Sequence, residues 1–300
     1  TVASNKRLDI LIVISLMVAI AVAFFNKPTN NIATKTIVNN ALALNNSIAV
    51  LPFLDMSPNK DQEYFSDGLS EELLNLLSKI PDLKVIGRTS SFSFKGKNED
   101  LRSIAQKLGV VHILEGSVRK DGNKIRVTAE LIWATDGSQL WSDTYDRDLE
   151  GIFQLQDDIA GAVVKELKLK LHTPISNTSL TNPEVYNLIL QGNYFAEKRD
   201  KESLYKSLDF YMKALAIDSL NARSWASVAN YYNHLTSWGL IDKNQGVEKA
   251  MNAATKSIEL DKTLAEGHMV LGEAKLWDFD WVGAEVEFQK ARKIEPANPD

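Results

Sequence analysis

The chain has no cysteine, which removes disulfides, thiolate metal sites and cysteine nucleophiles together. Histidine is scarce. His112, His172, His234 and His268 are dispersed, and none has a second ligand three or four residues away, so zinc spacing is not met and no metal site is expected. Basic runs are missing as well: 34 Lys and Arg stand against 39 Asp and Glu, a formal net charge of −5. A nucleic-acid surface needs a basic face that displaces counterions from phosphates, so no nucleic-acid partner is expected in this segment. The densest basic group, Arg119, Lys120, Lys124 and Arg126, brackets a predicted hairpin turn and reads as a solvated strand face. Glycine-rich phosphate loops are absent; Phe94-Lys95-Gly96-Lys97 lacks the preceding glycine and the following hydroxyl residue. No Ser-x-x-Lys or Gly-x-Ser-x-Gly nucleophile context occurs. The adjacent pairs Glu71/Glu72 and Asp157/Asp158 project about 100° apart on helices and read as solvated faces, not acid/base pairs. No catalytic residue and no cofactor is expected.

What is present begins with a hydrophobic run. Leu8–Phe25 carries Asp9 as its one charge, at the edge. Its uncharged part spans about 24 Å as a helix, slightly under the ~30 Å hydrocarbon core, and Leu8 with flanking Lys side chains makes up the difference. Residues 8–25 are therefore expected to form a transmembrane helix in contact with the lipid bilayer. A cleaved signal peptide is the alternative, with Lys6 and Arg7 as its basic region and Ala21-Val22-Ala23 as the cleavage pattern. The positive-inside rule places the flank 1–7 in the cytoplasm, and hence the soluble domains in the periplasm of a bacterial inner-membrane protein.

Two polar stretches divide the remainder: a flexible tether at 26–46 and a linker at 172–183. Between them, 47–171 mixes periods. Ile48–Leu51 is a short apolar run closed by Pro52, which suits a buried strand. Phe65, Leu69, Leu73, Leu76 and Ile80 form one helical stripe ended by Pro81. Leu83–Ile86 is a second strand, and Leu101, Ile104, Ala105 and Leu108 a second helix stopped at Gly109. Val110–Lys120, an alternating strand from Lys124 to Trp133, and Gln139–Tyr145 are joined by turns at Asp121-Gly122 and Asp136-Gly137. Leu155, Ile159, Val163 and Leu167 mark a closing helix. The predicted order is β-α-β-α-β-β-β-α.

Residues 184–300 are helical and repetitive. Leu260-Asp261-Lys262 and Ile294-Glu295-Pro296 are one tetratricopeptide (TPR) period of 34 residues apart. Ile217-Asp218-Ser219 precedes the first of these by one period plus a nine-residue insertion, placed around Leu235–Gly246. The signature falls in step on His268, Leu271, Gly272, Ala284, Phe288, Ala291 and Pro296. It falls on Trp225, Val228, Ala229 and Tyr232, then Ala250, Ala254 and Ser257, in the repeat before. Gly192, Phe195, Ser207, Tyr211 and Ala214 mark a looser first repeat. About three repeats are expected, with more to follow.

Four stretches now resemble a known family. Ser47–Phe53, Glu63–Asp100, His112–Ile132 and Leu140–Ala160 are similar to the TolB-like domain of bacterial membrane proteins, a domain that commonly follows a membrane helix and precedes TPRs. The resemblance implies kinship with FlgO- and CsgG-type envelope domains and a protein-binding rather than catalytic role. The expected class is thus α+β: a single transmembrane helix, a small mixed α/β domain like the N-terminal domain of TolB, then an all-α TPR superhelix.

Two candidate sites follow. Arg88, Thr89, Ser90 and Ser91 lie just beyond the second strand, where open α/β sheets bind ligands, and suit an anion or carboxylate; a structural turn whose hydroxyls cap the backbone is the alternative. Asn230, Asn233 and His234, on the first helix of repeat two, are candidate contacts of a peptide groove. The expected function is a scaffold or sensor that binds protein or peptide partners. The alternatives are the regulatory half of a CadC-like membrane-bound transcription regulator, or of a nucleotide cyclase, with the effector domain upstream, and a secreted adaptor released by cleavage after Ala23.

Overall fold

A computed structural model describes residues 46–80, 83–169 and 182–295, all within one compact unit, Ala43–Asp300. Among them, six strands form one sheet. β1 (Ser47–Val50) lies between β3 (Lys84–Val85) and β4 (His112–Asp121), parallel to both, and β4, β5 (Lys124–Trp133) and β6 (Ser138–Asp148) continue as an antiparallel meander. β2 (Leu54–Asp55) resumes the pairing with β4 where β1 stops. Pro52 has no N–H to donate to a ladder, and the interruption lets the Phe53 ring lie over Gly116. A Cβ at Gly116 would stand 2.2 Å from the Thr128 carbonyl oxygen and 2.6 Å from that ring, so the close crossing requires glycine.

β1 is buried on both faces. Ile48 and Val50 join a core with α1 (Glu63–Ser78) and α4 (Ile152–Glu166), while Ala49 joins Ile104 and Ala105 of α3 (Leu101–Leu108) on the other side. This is the continuous apolar run expected of a parallel strand covered twice. Asp100 caps α3 and Gly109 ends it at φ +65°. The structure adds β2 and the short helix α2 (Arg88–Phe92) to the predicted order; elements this short carry no period to detect.

Three antiparallel helix pairs follow: α5 (Pro183–Ala196) with α6 (Lys201–Ile217), α7 (Ala222–Ser237) with α8 (Lys243–Leu260), and α9 (Ala265–Trp277) with α10 (Trp281–Ile294). The TPR contact of a small residue on the first helix with an aromatic ring on the second is present. A Cβ at Gly192 would meet the Tyr211 ring at 2.2 Å, and one at Gly272 the Phe288 ring at 2.5 Å. The insertion expected around Leu235–Gly246 in repeat two is taken up mostly as helix. α7 and α8 have 16 and 18 residues where α9 and α10 have 13 and 14. Asn182, Asp200, Asn221, Asp242 and Asp280 each accept a backbone N–H at a helix start.

The first repeat is fused to the α/β core. Tyr186 and Leu190 of α5 belong to the same apolar cluster as Leu69 and Leu73, Gln156 donates to the Tyr186 hydroxyl at 2.8 Å, and Gly68 of α1 lets Leu190 approach. α1 is therefore buried on two sides, by leucines in the sheet core and, at Gly68, by Leu190 of the repeats.

The expected class is corrected to a mixed α/β domain running into TPR-like helices. Among the described residues no helix is long and apolar enough to cross a membrane. The flank 1–7 and the segment 8–25, on which the transmembrane helix and bilayer contact rested, lie outside those residues, as do the tether 26–46 up to Asn46 and the linker 172–183 up to Asn182.

Candidate functional site

The first helix of each repeat turns one stripe toward a shared concavity. α7 contributes Arg223, Ser227, Asn230 and His234, spaced at helical steps, and α9 contributes Glu266, Met269 and Glu273. α5 and the residues after it add Asn193, Glu197 and Arg199. The remaining wall comes from the α/β domain: Glu71 and Glu72, in the middle of α1. The enclosed volume is about 420 Å³, within the ~300–1,000 Å³ range of ligand pockets.

Acidic groups dominate. Five glutamates, at positions 71, 72, 197, 266 and 273, line the pocket. Arg223, mostly buried, reaches Glu72 across the domain junction and lies 3.3 Å from Glu266. Burial works against its charge, but Glu266 and Glu72 outweigh it and raise its pKa. Arg88 plays the same part behind the wall, 3.1 Å from Glu71 and paired with Glu197. Burial pushes the Glu71 carboxyl up to about 7, with Arg88 pulling the other way and Glu197, Glu72 and Glu266 reinforcing the push. Burial likewise raises Glu197 against the pull of Arg88, and Glu273 against the hydrogen bond from Asn233. His234 is shifted down by burial and by Arg199. Among the described residues no group of three or more potential ligands could hold a metal ion.

The expected residues divide. Asn230 and His234 line the pocket. Asn233 is buried beneath it, donating at 3.0 Å to the Val270 carbonyl and at 3.1 Å to Glu273, so it ties α7 to α9 and orients Glu273. Arg88 to Ser91 form α2 instead of an open loop. The Arg88 guanidinium faces two carboxylates and lies over the Phe92 ring. Ser91 is buried, its hydroxyl 3.5 Å from the Ile86 carbonyl oxygen, whereas Thr89 and Ser90 are exposed. That hydroxyl thus turns to the backbone, as in the capping alternative.

Glu71 and Glu72 correct the sequence reading. They are not a solvated face: Glu72 is 5% exposed and pairs with Arg223. The signal was at Gly68 of α1, where the missing side chain leaves room for Leu190 of α5.

Comparison with known proteins places this geometry among partial likenesses. Residues 44–162 match the family model described as the HilA/YgeH-like transcriptional regulator, second domain. A "Putative adenylate cyclase 3" of Rhizobium meliloti (strain 1021) is 36% identical over 243 residues, covering 77% of this chain and 40% of that protein. The chain thus spans about two fifths of the length of this curated relative. Among solved structures, TolB from Acinetobacter baumannii is 16% identical, with 40% of this chain and 28% of that one covered and a TM-score of 0.30. The Arabidopsis OM64 TPR domain is 22% identical, with 38% and 85% covered and a TM-score of 0.32.

Proposed function

We propose that this chain works by binding, as an interaction module whose α/β domain and TPR-like helices together hold a protein or peptide partner. One observation carries the reading: the pocket is walled jointly by α1 and by the first helices of all three repeats, so an occupant touches both parts at once. Solenoids of paired helices present such concave surfaces for partners. A photocrosslinking residue at Asn230 should capture a partner that the same residue at Thr144, on the exposed β6, does not. Equal capture at both positions would refute the reading.

A second reading is favoured by the cyclase relative and by the regulator family model. In it, the module is the regulatory portion of a longer protein and passes occupancy to an effector domain. Placing the segment beside a cyclase domain and measuring cyclic nucleotide output with and without Glu273→Gln tests it. Unchanged output across occupancy states refutes it.

A further inference from the structure

We propose that the pocket recognises a cationic, hydrogen-bond-donating group, the guanidinium or ammonium of an Arg or Lys side chain on the partner. This rests on the binding reading above.

The arginines of the pocket and of its wall are ion-paired at Arg88 and Arg223, although the Arg223 Nε makes no hydrogen bond among the described residues. Arg88 lies between Glu71 and Glu197, and Arg223 between Glu72 and Glu266. Arg199 is exposed. Five carboxyl groups thus face these three arginines, two more acids than bases. The deficit is local. Glu72 is 5% exposed, and among the described residues its second oxygen accepts no hydrogen bond, so the pocket wall holds an under-compensated acceptor where desolvation is costly. Among the described residues Glu273 receives only the Asn233 amide.

The rest of the lining suits the same ligand. Asn230 and Ser227 offer neutral acceptors next to these carboxylates, and Trp238 supplies an aromatic face of the kind that attracts guanidinium groups. An anion would meet like charge from several sides. A bare metal ion lacks its three-ligand cluster among the described residues. The upward shifts of Glu71, Glu197 and Glu273, each driven first by burial, agree in direction: a cation arriving beside them favours the charged carboxylates, and with Glu71 raised to about 7, binding should tighten as pH rises through 7.

The same chemistry could be offered by a free diamine, and the test separates the two sources. A randomised octapeptide display library is selected against the full 300-residue chain, and matched peptides with Arg, citrulline or Glu at the enriched position are then titrated. Arg or Lys should be enriched at one fixed position, with Arg at least tenfold tighter than citrulline. Glu273→Gln, which keeps the Asn233 hydrogen bond, should abolish that preference without moving the thermal midpoint, and Asn230→Ala should weaken it. If peptides are selected that compete at Asn230 but show no basic preference, or an acidic one, the cationic pocket is overturned and the binding reading stands. If no peptide is selected yet agmatine quenches Trp238 fluorescence in a manner lost in Glu273→Gln, the chemistry holds but the ligand is a small amine. That outcome overturns the peptide source. If neither binds, both inferences fall.

Discussion

The ion pair between Glu72 and Arg223 joins residues 151 positions apart in sequence and, with that between Arg88 and Glu197, couples the two parts through charge. The Glu72 and Arg223 side chains are largely out of water, at 7% and 13% exposure. Removing one partner of such a pair strands the other, which typically costs about 3–5 kcal/mol, whereas replacing both by apolar groups is often close to neutral. Glu266 contributes less to the account because it is 38% exposed, where solvent screening reduces ion pairs to about 0–1 kcal/mol. Arg223→Ala should therefore lower stability by about 3–5 kcal/mol, a large part of the ~5–15 kcal/mol available to a domain. Glu72→Leu with Arg223→Met should recover most of that loss. Urea unfolding of the full chain, followed by circular dichroism and by amide exchange of α1 and α5, measures both variants. A loss under about 1 kcal/mol for Arg223→Ala, or strict additivity in the double variant, would refute the coupling.

Gly192→Ala should destabilise by about 1–3 kcal/mol by overpacking, because the Tyr211 ring it would strike is buried and its hydroxyl donates to Asn193 at 2.9 Å; thermal melts of the variant check this. Gly161→Ala should do the reverse, gaining about 0.5–1 kcal/mol of helix propensity, since a Cβ there meets nothing within 4 Å. Asn221→Ala should cost about 0.5–2 kcal/mol as a lost cap, visible as faster exchange in the first turn of α7, because Asn221 accepts from the Ser224 N–H at 2.9 Å. Glu71 has a folded pKa raised from 4.5 to about 7, so its contribution to stability is full below 4.5 and is lost as pH rises through about 7. Wild type should lose stability across that window relative to Glu71→Gln, and parallel pH profiles of the two would contradict it.

The stripes that bury one face of an element were legible, because helical and strand periods are local. Phe65, Leu69, Leu73 and Leu76 are all buried as their spacing implies, and the small-against-large pairing of Gly272 with Phe288 follows from register alone. The second face of α1 was not legible. Gly68 sits in a polar stretch, Ser66 to Ser70, that reads as a solvated surface, and only the tertiary arrangement shows that its missing side chain clears space for Leu190 of α5. Glu72 was misread for the same reason. Its cation lies far along the chain, so no window centred on α1 contains the partner that makes burial tolerable. Asn230 and His234 line the concavity, while Asn233, one step round the same helix, turns inward to Glu273.

Sharing α1 between the sheet and the repeats has a mechanical consequence. The helix that offers Glu71 and Glu72 to the pocket also receives the Phe53 N–H on Ser70 at 2.9 Å, next to the interrupted strand that crosses Gly116. A ligand that neutralises the pocket wall therefore acts on a helix pinned to the centre of the sheet, and a shift of α1 could not be absorbed by the repeats alone, since Tyr186 and Leu190 are embedded in the same apolar cluster. A flexible joint would let the repeats bind without informing the α/β domain. Here the two differ in architecture but share a wall, and any difference in affinity between two positions of α1 becomes, by linkage, a bias on the sheet.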